Sequence, residues 1–149
     1  ATPPAATFAA APAAAIAGGG GPVVHPLNGV GDLIGTPHAG THTLGNWQSD
    51  NALDWGVPEG TPVYAVADGV IGPNIGPLSS TESRFAGERL TLETAGNAFY
   101  YAHLNDIVVG AGQPVVKGQL LGYTGSANGV PHLHFGQREG DPRDLFLSD

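Results

Sequence analysis

Arg89-Leu90-Thr91-Leu92-Glu93-Thr94-Ala95-Gly96-Asn97-Ala98-Phe99-Tyr100-Tyr101-Ala102-His103-Leu104 reads as two strands joined by a tight turn. Its first five residues alternate strictly between polar and apolar. A half-buried strand does this because successive side chains point to opposite faces. Gly96-Asn97 supplies the hairpin turn. Upstream, Pro62-Val63-Tyr64-Ala65-Val66 alternates toward a turn at Asp68-Gly69, and Val70-Ile71 resumes the pattern. Downstream, Val115-Val116 and Leu120-Leu121-Gly122-Tyr123 are expected to pair with each other, and positions 133–135 form a last short strand. Positions 22–53 are rich in loops, and 78–88 read as a surface insertion. No segment sustains a helical period. The expected fold is mainly antiparallel β with long loops and little helix, one face of the sheet being free for a site.

Composition agrees with this reading. The 24 Gly and 13 Pro among 149 residues favour short strands and tight turns over long helices. Positions 1–21 are Ala, Pro and Gly of low complexity. They lack the large apolar residues that offset ordering entropy, so they are expected to be a linker ahead of one folded domain at 22–149. Only five Lys and Arg stand against thirteen Asp and Glu, a net charge of -8. That balance excludes a basic nucleic-acid surface and argues against docking on an anionic membrane. No run of apolar residues is long enough for membrane insertion. The absence of cysteine excludes disulfides, thiolate metal ligands and a cysteine nucleophile. Position 1 is not methionine, so the chain is expected to be a processed product or a piece of a longer protein.

His132-Leu133-His134 carries the chemistry. Residues two apart on a strand share a face, so both imidazoles project together while Leu133 turns to the core. A hydrolytic zinc site needs nitrogen ligands, and beside them a base or a donor to the transition state. Further motifs occur in fixed order around this one. They are Asp54-Trp55-Gly56-Val57-Pro58-Glu59-Gly60-Thr61-Pro62-Val63-Tyr64-Ala65, Ala67-Asp68-Gly69-Val70, Tyr101-Ala102-His103-Leu104, Gly112-Gln113-Pro114-Val115-Val116-Lys117-Gly118-Gln119-Leu120-Leu121-Gly122 and Pro131-His132-Leu133-His134-Phe135. Together they resemble the lysostaphin and LytM family of zinc endopeptidases over positions 50–135. The resemblance implies a sandwich-like β fold of the lysostaphin type. It also implies that zinc is held by Asp54 and His134, and that His103 and His132 are catalytic.

One ligand departs from the pattern. The resemblance places a histidine four residues before Asp54, where this chain has Asp50. Asp50 ligates in its place, or the histidine comes from His42, twelve residues ahead of Asp54 in Thr41-His42-Thr43-Leu44-Gly45-Asn46-Trp47. His42 is favoured, because two histidines and one carboxylate are a common hydrolytic zinc set. Equal loss of zinc affinity on replacing either residue would point instead to Asp50 orienting His42 through its outer N–H. His38 is a more distant candidate, and His25 is expected to face solvent.

The resemblance implies hydrolysis of peptide stems or cross-bridges in bacterial peptidoglycan. His103 and His132 would handle the water's proton and hydrogen-bond the developing oxyanion. The Gly-rich stretches 72–76 and 125–129 read as turns, with walls of a peptide groove as the alternative. Two other functions compete. A biotinyl or lipoyl carrier domain suits segments 63–69 and 115–122, with Lys117 as the modified residue, but it leaves His-Leu-His unexplained. A catalytically degenerate domain that binds peptidoglycan or serves as a structural module keeps the fold without the activity. The expected place of work is extracellular, at the cell wall or on a virion such as a phage tail, with the domain tethered in a larger secreted or virion assembly.

Overall fold

Alternation along the central strands, broken at one bulge in the strand that carries His103, separates a core face from a polar face, and that separation builds the site. The computed structural model describes residues 23–77 and 87–146. The expected linker at 1–21 and most of the expected insertion at 78–88 lie outside them. The strands are β1 (Asp32–Gly35), β2 (Ala52–Gly56), β3 (Pro62–Tyr64), β4 (Gly69–Ile71), β5 (Gly76–Pro77) and β6 (Glu88–Thr94), followed by β7 (Asn97–Asn105), β8 (Pro114–Val115), β9 (Leu120–Thr124), β10 (Ser126–Ala127) and β11 (Val130–Gln137). Helix among the described residues is limited to α1 (Trp47–Asp50) and α2 (Arg143–Phe146). The main sheet runs β1-β2-β11-β7-β6-β4-β8, with β9 branching from β7 and pairing with β3. Every pairing is antiparallel.

The register explains the core. Leu133 lies opposite Trp55, and Phe135 lies between Leu53 and Tyr101. All five side chains are buried on one face. They pack against Val63, Val66, Val115 and Leu121 from the chain that folds back over the sheet. Tyr101 ties the two layers. Its hydroxyl accepts from Val66 N–H at 3.0 Å and donates to the Tyr64 carbonyl at 3.1 Å. Without that hydroxyl two main-chain groups lose their partner, at a cost of about 1–3 kcal/mol for each buried group.

Three local expectations are corrected. Asp68-Gly69 is not a hairpin turn: β3 pairs with β9, and β4 pairs with β6 and β8. Gly69 instead lies against Glu93, whose carbonyl a Cβ would strike, while Asp68 accepts from Lys117 N–H. The stretches at 115–116 and 120–123 do not pair with each other; their alternation serves β4 on one side and β3 and β7 on the other. The β6–β7 turn is Ala95-Gly96, since Asn97 already pairs with Thr94. Gly96 takes the positive φ of 86° that this turn requires.

Candidate metal centre and active site

Asp54 and His134 are direct cross-strand partners on β2 and β11. Partners opposite each other share a face, so both project from the sheet on the side away from the core. His132, two residues earlier on β11, points the same way. His42 arrives from the segment between β1 and α1. Its Nε2 lies 2.9 Å from Asp54 Oδ2, and His134 Nδ1 lies 3.0 Å from Oδ1. Ligand atoms of His42, Asp54 and His134 all fall within 4.8 Å of one another, a group able to hold a metal ion.

The outer nitrogens decide what this group suits. His42 Nδ1–H donates to the Thr36 carbonyl at 2.9 Å, and His134 Nε2–H donates to the Gln48 carbonyl at 2.6 Å. With those protons placed, each neutral ring turns a lone pair toward the Asp54 carboxylate. Two lone pairs facing a carboxylate repel unless a second proton or a cation lies between them. Without a metal, only a proton can take that place. The hydrogen bond with Asp54 raises the His42 pKa, outweighing burial. For Asp54, burial opposes ionisation, but hydrogen bonds from His134 and His42 outweigh it and hold the carboxyl well below its usual range. One divalent cation satisfies all three side chains at once, and main-chain carbonyls already fix both rings in the required tautomer.

Glycines allow this close assembly. A Cβ on Gly136 would crowd the Gln48 carbonyl at 3.0 Å, so glycine there lets α1 lie close to the strand that carries His134. A Cβ on Gly35 would strike Asp54 Oδ2 at 2.6 Å.

His103 reaches the same face by an exception to alternation. Ala102 lies opposite His134 and so belongs to the polar face; regular strand geometry would send His103 to the core. The strand instead bulges here, as Glu88 pairs with Leu104 and Leu90 with Tyr101. His103 adopts a positive φ of 63°. Such bulges re-aim a side chain, and the strained backbone is held by its surroundings. The His103 carbonyl accepts from Gly125 N–H at 2.7 Å. The His103 ring centroid ends 4.8 Å from that of His132 and 5.5 Å from that of His134. His132 donates its Nδ1–H to the Val130 carbonyl at 2.9 Å, which leaves Nε2 inward, 3.8 Å from Asp54 Oδ1.

All these groups open into a groove of about 550 Å³. Ile34, Leu44 and Val130, each at least 47% exposed, stand at its lips. The expected turn falls at Asn128-Gly129, and Ala127 and Asn128 also line the groove, whereas 72–76 does not.

Of the site residues read from the sequence, the structure brings together His42, Asp54, His103, His132 and His134. Asp50 stays apart, its carboxylate accepting from Leu44 N–H at 2.6 Å and Gly45 N–H at 2.8 Å. It does not take the outer N–H of His42, which goes to Thr36. His38 is exposed and outside the group. His25 is only partly exposed to solvent: its ring packs 4.6 Å from Trp55 and 5.4 Å from Phe146 between centroids, and burial lowers its pKa. Sequence reasoning missed Tyr100, which lines the groove 6.0 Å from His134 between ring centroids. Alternation back from Ala102 points to it.

The model of peptidase family M23 matches residues 48–144. Peptidoglycan DD-endopeptidase ShyA of Vibrio cholerae is 36% identical over 89 residues, covering 57% of this chain and 19% of ShyA. The chain thus spans about a fifth of the length of the curated relatives it matches. Among solved structures, the catalytic domain of lysostaphin from Staphylococcus simulans aligns with a TM-score of 0.62 at 25% identity, covering 79% of this chain and 93% of that one. A zinc containing peptidase from Vibrio cholerae aligns with a TM-score of 0.56 at 25% identity, covering 78% of this chain and 35% of that one.

Proposed function

This chain belongs to peptidase family M23, and we propose that it is a zinc-dependent endopeptidase that hydrolyses peptide cross-links of bacterial cell-wall peptidoglycan. The observation that carries the reading is the pair of inward imidazole nitrogens, His42 Nε2 and His134 Nδ1, on one Asp54 carboxylate, with both outer N–H groups tied to main-chain carbonyls. In this proposal His42, Asp54 and His134 hold zinc. When bound, zinc supplies Lewis acidity, polarising a carbonyl and bringing the pKa of water toward neutrality.

The remaining steps fall to the chain's own side chains. His132, its Nδ1 proton committed to Val130, offers Nε2 to accept a proton in the groove. His103, aimed onto the same face by its bulge, donates toward the oxygen that gains negative charge. The groove and its apolar lips offer room for a peptide beside the site. The relatives' names support peptidoglycan as substrate, and ShyA and ShyB are both peptidoglycan DD-endopeptidases. With peptidoglycan as the proposed substrate, the proposed place of work is outside the cytoplasm, at the wall or on a virion, with the domain tethered in a larger assembly.

Digestion of purified sacculi, followed by mass spectrometry of the fragments, tests this directly. New peptide amino termini with intact glycan strands are expected, and a zinc chelator is expected to suppress them. Soluble fragments that carry only glycan ends would contradict the proposal.

A further inference from the structure

A ligand on a segment without regular structure must be fixed by something else, because ordering each loop residue costs about 1–2 kcal/mol. His42 is such a residue: it lies between the end of β1 at Gly35 and the start of α1 at Trp47. Within the segment, His42 N–H bonds the Ala39 carbonyl at 2.9 Å, and the ring bonds Thr36. These bonds shape the loop but do not hold it to the sheet.

Asp50 does. Its main-chain carbonyl accepts from His38 N–H at 2.8 Å on the incoming limb. Its carboxylate accepts from Leu44 and Gly45 N–H on the outgoing limb. His42 sits between the two limbs. Asp50 is itself anchored, because the next residue, Asn51, donates its side-chain amide to the Gln137 carbonyl at 2.7 Å and the Gly140 carbonyl at 2.6 Å. Asn51 also receives Gln137 N–H at 3.0 Å. A continuous hydrogen-bonded path therefore runs from β11 through Asn51 and Asp50 to both sides of His42. Hydrogen bonds to an ionised carboxylate are about twice as strong as neutral ones. Slight desolvation opposes ionisation here, and the Gly45 and Leu44 N–H groups outweigh it, keeping the carboxyl below its usual range.

We infer that Asp50 is a positioning residue, a clasp that holds the 36–46 segment over the groove so that His42 meets the metal and Leu44 forms a lip. The inference rests on the proposed zinc site. Its test measures zinc affinity of the full chain against a competing chelator for wild type, His42→Ala, Asp50→Ala and Asp50→Asn. The melting temperature of each zinc-free protein is recorded alongside. Asp50→Ala is expected to weaken zinc binding by about 10–100-fold, the range for groups that orient a ligand. Its zinc-free melting temperature is expected to stay unchanged within error, and excess zinc should restore kcat. Asp50→Asn, which keeps a carbonyl acceptor, should lose less and serves if the alanine variant does not fold. Wild-type affinity in both Asp50 variants, with His42→Ala impaired, overturns the clasp alone. Wild-type affinity in His42→Ala overturns the zinc-site reading and the clasp with it.

Discussion

Replacing His103 or His132 with alanine is expected to lower peptidoglycan turnover by about 10²–10⁴-fold while zinc content stays unchanged, the range for a general acid–base partner. Neither residue belongs to the group of ligand atoms within 4.8 Å of one another. His132 Nε2 stands 3.8 Å from Asp54 Oδ1, farther than the 3.0 Å of His134 Nδ1. His103 presents its ring only because the β7 backbone departs from strand geometry. Both rings thus border the metal group without completing it. Steady-state assay of each variant with parallel metal analysis checks the claim. A variant that loses its metal together with its activity would mark that histidine as a ligand.

The second large effect is on zinc binding. His42→Ala is expected to lower affinity by more than about 100-fold, beyond the range seen for outer partners. Asp54→Ala should do at least as much, because both inward nitrogens face that carboxylate. The same pair predicts a pH dependence. The His42 pKa is raised in the folded, metal-free protein. The stability it contributes is therefore fully present below its unfolded value of about 6.5 and is lost as pH rises through the folded value. Asp54 is depressed, so its contribution is present above its unfolded value of about 3.9 and is lost as pH falls toward the folded value. Zinc must displace the His42 proton, so affinity should rise with pH across the His42 titration. Competition titrations at several pH values measure this. An affinity independent of pH would remove His42 from the ligand set.

Much of this architecture was legible in the sequence, and the exceptions have definite physical causes. Alternation in Arg89-Leu90-Thr91-Leu92-Glu93 and in His132-Leu133-His134 located strands and their buried faces, since one face of each had to pack on the core. Pairing partners were less legible. Asp68-Gly69 looks like a hairpin turn, yet the contact of Gly69 with Glu93 is long-range and leaves no local mark. His103 is a sharper case. Strict alternation sends it to the core, and the resemblance to known peptidases, not its spacing, singled it out. The carbonyls of Thr36, Gln48 and Val130 that set the imidazole tautomers belong to the main chain, so residue identity carries no sign of them. Asp50 drew attention as a departure from a pattern. Its carboxylate is used four residues ahead of Asp54, on the loop that carries His42. The carrier-domain alternative yields to the family match, which spans the Lys117 segment and His-Leu-His together.

Anomalous diffraction at the zinc edge from crystals of the zinc-loaded protein tests whether His42, Asp54 and His134 hold the metal. One strong peak per chain is expected, within about 2.0–2.2 Å of His42 Nε2, His134 Nδ1 and an Asp54 carboxylate oxygen, with His103 and His132 uncoordinated. A peak bound by Asp50 and not by His42, or no peak beside Asp54, would contradict that assignment.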